Sequence, residues 1–204
     1  MLTSPSTVRL ALLACLVVAV TGLTACGDRA GQAIGAAVPR KATGPAAHLM
    51  AENDAPSGGS AWRKIRTTDS DDVVAPCHLT SLVDIGALEV SQRTWSVRKG
   101  STPISRQVVA RFADNKSAWR AHQVLDSWHG DCGDRRAGTV EARVPVDVPT
   151  GNAEEYRVVT GNVATAIGIL RKGEYLSVFS LTGPALVVTG RQSSEALGLI
   201  ANTF

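Results

Sequence analysis

EYRVVTGNVATAIGILRKGEYLSVFSLTGPALVVT, residues 155–189, carries the reading of the fold. The dipeptides Gly161-Asn162, Lys172-Gly173 and Gly183-Pro184 cut it into four short apolar pieces: Glu155–Thr160, Val163–Leu170, Tyr175–Leu181 and Ala185–Thr189. Glycine and asparagine accept the positive φ of tight turns, so these pieces are expected to be strands joined as antiparallel hairpins. Val163–Leu170 (VATAIGIL) has no polar face, which is the pattern of a central strand covered on both sides.

Working outward, Val140–Val148 reads as another strand and Asn115–Gly130 as the clearest helix. The helix carries Ala118, Ala121, Leu125 and Trp128 at three- and four-residue spacing, with Asp114 placed to cap its start. Ile104–Phe112 alternates, with Ile104, Val108, Ala110 and Phe112 on one side and Ser105, Gln107 and Arg111 on the other; Arg106 and Val109 break the pattern. Trp62–Thr67 and Arg93–Arg98 read as further strands. Short helices are expected over His48–Asp54 and from Cys77 to about Ile85, and a last one over Ser194–Phe204. Hairpin strands beside a few helices, without β-α-β alternation, predict an α+β domain: a twisted, mainly antiparallel sheet with helices packed on it.

The first 25 residues read as an address. One charge, Arg9, precedes the apolar run Leu10–Val20, and small residues follow, the layout of a secretory signal. Eleven apolar residues fall short of the roughly 20 that span a bilayer. Leu23-Thr24-Ala25-Cys26 resembles the lipobox of bacterial lipoproteins, so Cys26 is expected to become the acylated first residue of the mature chain. A diacylglyceryl group supplies two chains, enough for stable anchoring to the outer face of the cell membrane. Residues 26–47, rich in Ala, Gly and Pro, read as a flexible tether, and 48–204 as one folded domain.

Composition narrows the function classes. The 204 residues are 44% hydrophobic and 19% charged with a formal net charge of +3, a globular balance without the basic stripe of a nucleic-acid binder. Cys15 leaves with the signal, so Cys77 and Cys132 remain as an even pair in an oxidising setting, and a disulfide is the default. The competing reading, a catalytic or metal-binding thiol, lacks a CxxC or a Cys-His metal spacing.

The order of elements then becomes familiar. After the lipobox and tether come a small helix at His48–Asp54, a strand with Trp62, Pro76-Cys77, and Val108-Val109-Ala110-Arg111-Phe112-Ala113-Asp114. A helix ending Trp128-His129-Gly130-Asp131-Cys132 and the hairpin Thr160-Gly161-Asn162-Val163 follow. This order resembles the PknH-like extracellular sensor domain of actinobacteria, which occurs beneath receptor Ser/Thr kinases and as free-standing lipoproteins. The resemblance spans roughly residues 46–204. It implies a twisted antiparallel sheet with helices, a large cleft that receives a ligand, and no enzymatic reaction. The chain departs from the kinase form in lacking a kinase domain and in having one domain cysteine pair instead of two.

Spacing brings candidate chemistry together in several places. His122, Asp126 and His129 fall at i, i+4 and i+7 on one helix face, where two imidazoles and a carboxylate suit a transition metal. No third element offers an obvious further ligand, so the face is expected to be a solvated polar surface. Ser96 and Lys99 match an SxxK pattern, but on a strand they point to opposite faces. Asp71-Asp72 and Asp131/Asp134 read as loop and helix-end carboxylates, and Asn115-Lys116-Ser117 as a helix start. No enzyme, metal or cofactor is expected. Two functions fit: binding of a small molecule or envelope component as sensor or carrier, in a groove lined by the hairpin strands and by Trp95 or Trp119; or docking to a cell-envelope protein complex through an apolar patch, as an adaptor.

Overall fold

A computed structural model describes residues 42–57, 59, 61–72, 75–97 and 102–204. The leader 1–25, Cys26, most of the tether and Lys99 lie outside the described residues. A single-turn 3-10 helix, Gly44–His48, is followed by strands β1 (Lys64–Thr68), β2 (Glu89–Ser96) and β3 (Ile104–Arg111). Helices α1 (Asn115–Gly130) and α2 (Cys132–Arg135) come next, then β4 (Thr139–Val140), β5 (Val144–Val146), β6 (Asn152–Thr160), β7 (Val163–Lys172), β8 (Tyr175–Pro184) and α3 (Gly190–Ala201). The strands form one open sheet in the order β1-β2-β3-β8-β7-β6-β4, with β5 also on β6, and every pairing is antiparallel. The fold is α+β, as the hairpin pattern predicts. Gly161 and Gly173 turn the β6–β7 and β7–β8 hairpins at φ of 58° and 56°.

Both faces of the sheet are covered at its centre, which is why β7 is apolar throughout. On one face Val108, Ala110, Tyr156, Val158, Ile167, Ile169, Leu176 and Val178 pack under α1 and the Cys77 segment. On the other, Trp95, Ala164, Ala166, Leu170, Phe179 and Leu181 pack under α3 and the N-terminal segment. Cys77 and Cys132 are joined in a fully buried disulfide that ties the irregular segment before β2 to the end of α1. Asp114 caps α1, accepting the Ser117 N–H at 2.6 Å.

Close approach explains one glycine. A Cβ on Gly168 of β7 would lie 2.9, 3.1 and 3.2 Å from the three branch carbons of Leu197 on α3. Leu197 is fully buried in the core between α3 and the sheet. Gly168→Ala is therefore expected to destabilise the fold by about 1–3 kcal/mol through overpacking, measured as a lower urea midpoint. An unchanged midpoint would show that α3 slides freely on the sheet.

Several expected elements differ. His48–Asp54 is not helical; the 3-10 turn ends at His48, and the following backbone is held by the sheet, with Met50 N–H donating to Gln107 Oε1 at 2.7 Å and Trp95 Nε1 to the Glu52 carbonyl at 2.8 Å. The Cys77–Ile85 stretch is a run of turns: Asp71 accepts the Leu82 and Val83 N–H groups, replacing a helical ladder. Val140–Val148 is broken into β4 and β5. Val140 faces Val158 but Val144 faces Glu155, so the outer strand holds one extra residue, and Arg143 turns inward there. Ala185–Thr189 is no strand. The Pro184 carbonyl accepts Val187 and Val188 N–H at 2.9 and 3.0 Å, and the turn delivers Thr189 as the cap of α3. That helix begins at Gly190 rather than Ser194, with the Thr189 N–H donating to Gln192 Oε1 at 2.8 Å and Glu155 receiving the Ser193 and Ser194 hydroxyls, each at 2.7 Å.

Candidate functional site

Helix α1 covers only part of its face of the sheet, and the side chains beneath change character where it stops. Along β3 the face runs Ala110, Val108, then Arg106 and Ile104; along β8 it runs Leu176, Val178, then Ser180 and Thr182. The register carries the change across the sheet. Arg66, Thr94, Arg106 and Ser180 form one row over β1, β2, β3 and β8, and Lys64, Ser96, Ile104 and Thr182 form the next. An uncovered face must hydrogen-bond water or a ligand, so hydroxyls and cations replace valine and leucine there.

The result is a groove of about 450 Å³. Its floor is Gln92, Thr94, Ser96, Ile104 and Arg106, and its outer wall is Lys64, Arg66 and Thr68 with Ser70 and Asp72 at the rim. Gln92 Oε1 accepts the Asp72 backbone N–H at 3.2 Å, fixing that rim to the floor. Ile104 and Arg106 also border a second hollow of about 220 Å³, which reaches Ser180 and Thr182. Arg106 Nε is buried and has no hydrogen-bond partner among the described residues.

Neither Trp95 nor Trp119, of a residue type more often found packed than at a site, lines this groove. Trp95 is fully buried on the opposite face, its side fixed by the β2 register, and Trp119 is half exposed on α1, away from these walls. Sequence reasoning missed Lys64, Arg66 and Arg106. The available signal was Arg106, a charge on the apolar side of an otherwise alternating strand.

The other polar cluster forms around α1. His122 Nε2 lies 2.6 Å from Glu154 Oε1 on β6, and Arg143 Nη1 donates to both Glu154 and Asp126. One potential ligand atom from each of His122, Asp126 and Glu154 lies within 4.8 Å of the others. Glu154 is thus the third-element carboxylate that spacing did not reveal. His129 is not in the trio; its Nε2 lies 2.9 Å from the Glu141 carbonyl and its ring packs edge-on against Tyr156. Burial works to raise the Glu154 carboxyl, but the His122 hydrogen bond and the Arg143 charge outweigh it and hold it below its ordinary value. The Arg143 guanidinium bridges the two carboxylates that a metal would need, so the arrangement is an ion-pair network joining α1 to β6.

No helix among the described residues is long and apolar enough to cross a membrane. Asp71 holds the turn before β2, while Asp131 is the C-cap of α1 and Asp134 lies within α2.

No protein-family model and no curated protein matches the chain. Among solved structures, the crystal structure of the extracellular domain of PknH from Mycobacterium tuberculosis is similar, with 12% sequence identity and a TM-score of 0.47 over 72% of this chain and 86% of that one.

Proposed function

We propose that this chain is an exported lipoprotein, acylated at Cys26, whose α+β domain binds a small molecule or envelope component as a sensor or carrier. The observation that carries the reading is the groove over β1, β2 and β3: a concave, hydroxyl- and cation-lined surface where the sheet is left uncovered. Concavity with convergent polar groups is the form of a ligand site rather than of a flat docking patch. The reading is non-enzymatic, and in it His122, Glu154 and Arg143 serve to tie α1 to β6. The apolar run Leu10–Val20 followed by Leu23–Cys26 supports export and anchoring.

Native mass spectrometry of the protein extracted from its own membranes tests this. A mass increment at Cys26 equal to its acyl chains, plus a reproducible non-covalent mass, is the expected result. The acylated polypeptide with no non-covalent mass would move the assignment to the adaptor, and a polypeptide without acyl chains would overturn the anchoring. That alternative has its own motivation in Leu79, Val83 and Leu88, all substantially exposed in one loop segment, and proximity labelling would identify its partner.

A further inference from the structure

We propose that the groove is a site for a small anionic ligand, a phosphate- or carboxylate-bearing molecule, anchored by Arg106 and flanked by Arg66 and Lys64. This rests on the ligand-binding reading of the groove and names the chemistry that groove selects. Arg66 and Arg106 occupy the same row, separated only by Thr94 on β2. With strands about 4.8 Å apart, their Cα atoms stand about 10 Å from one another on one face. Lys64 is two residues from Arg66 and so shares that face.

Three like charges on one side of a sheet repel, and folding alone gives no reason to collect them. Four arginines elsewhere are neutralised, Arg111 by Glu89, Arg143 by Asp126 and Glu154, Arg157 by Glu141 and Arg191 by Glu195, while Arg63, Arg93, Arg120 and Arg171 stand apart from one another without an ion pair among the described residues. Among the described residues, Lys64, Arg66 and Arg106 have no ion-pair partner. The one acid lining the groove, Asp72, sits at its rim.

The Arg106 guanidinium borders the groove, where a bound phosphate or carboxylate would accept charge-assisted hydrogen bonds from it. Among the described residues its buried Nε lacks an acceptor, as do the Nε atoms of Arg143 and Arg171 elsewhere. The hydroxyls of Thr94 and Ser96 on the groove floor, and of Ser180 beside Arg106 in the adjoining hollow, would donate to the remaining ligand oxygens. A neutral ring, by contrast, would find one apolar side chain, Ile104, and no aromatic face on the groove wall.

The test is calorimetric titration of the protein extracted from its own membranes with two matched pairs of probes: glycerol 1-phosphate against glycerol, and galacturonate against galactose. The expected result is that at least one anion binds at least about tenfold tighter than its neutral partner, with affinity falling as salt rises. Which anion wins distinguishes a phosphate source from a carboxylate source. Arg106→Ala should abolish the preference. Lys64→Ala with Arg66→Ala, both on the exposed edge strand and harmless to folding, should weaken it and flatten the salt dependence. Equal binding of charged and neutral partners would overturn the anionic assignment while leaving a ligand-binding groove. The same holds if the native-extracted protein carries a neutral compound that Arg106→Ala does not release. Absence of binding by all four probes, together with no non-covalent mass on the extracted protein, would overturn both readings.

Discussion

Replacing both domain cysteines, Cys77→Ala with Cys132→Ala, is expected to lower the free energy of unfolding by about 4 kcal/mol, and the melting temperature by roughly 10 °C. The bridge spans a sequence separation of 55 residues, and a loop of that size removes much of the conformational freedom of the unfolded chain. Its placement adds to the effect. Among its described residues the segment between β1 and β2 has neither helix nor strand, and its backbone is held largely by side chains such as Asp71 and Ser81. Without the bridge, Leu82 and Ala87 must keep that segment in the core by apolar contact alone. Alanine is the replacement of choice because both sulfurs are fully buried, and a serine hydroxyl there would add an unpaired donor. Urea unfolding at neutral pH measures the loss. Hydrogen exchange should show residues 75–88 losing protection first. A loss below about 1 kcal/mol would mean that the unfolded chain is already confined without the bridge.

The hairpins were legible because their determinants are local. Gly161-Asn162 and Lys172-Gly173 set the turns, and the apolar register of β7 and β8 left one way to bury them. Helix α1 was legible for the same reason: its cap, its stripe and its length all point to one structure. The errors fall where tertiary contacts replace local ones. Cys77–Ile85 has a helix-like stretch of sequence, but Asp71, from outside it, takes the N–H groups of Leu82 and Val83. Ala185–Thr189 is rich in β-branched residues, yet Pro184 folds it into a turn that feeds the cap of α3. No property of residues 140–148 read alone shows that β6 will accept them in two pieces.

For the groove, the sequence held a clue that periodicity alone could not interpret. Arg106 and Val109 both violate the alternation of β3, and the structure explains each by what covers that position. Val109 faces the side closed by the N-terminal segment, where Gln107 and Ser105 are also buried. Arg106 faces the side that α1 leaves open. Strand alternation predicts which residues share a face, but not how far a helix extends over it. That length is set by the end of α1 at Gly130 and the disulfide immediately beyond. The same limit hid Glu154, since the partner of His122 lies 32 residues away on another element.

Acidification should expose a second weakness beside the disulfide. His78 is buried next to Cys77, its Nε2 has no hydrogen-bond partner among the described residues, and the Trp128 ring lies 6.0 Å away. Burial, with a smaller contribution from the Arg143 charge, lowers its pKa from the ordinary 6.5 to about 4. The folded protein therefore keeps a neutral imidazole where the unfolded chain already binds a proton. Between pH 6.5 and 4 the unfolded state holds more protons, so stability rises with pH across that window and is level, as far as His78 is concerned, on either side. The full contribution is about 3 kcal/mol, lost as pH falls through the window. Glu154, whose carboxyl is held below its ordinary value, gives up its stabilisation only at lower pH, as its folded form takes a proton. His78→Leu separates the two: the variant should lose the slope between pH 6.5 and about 4.5, above the range where Glu154 contributes, while keeping the acid limb below it. The measurement is urea unfolding in half-unit pH steps, with the His78 imidazole followed by NMR. An imidazole titrating near 6.5 in the folded protein, or a variant with an unchanged slope, would show that protonation at His78 is accommodated without strain on the packing around Cys77.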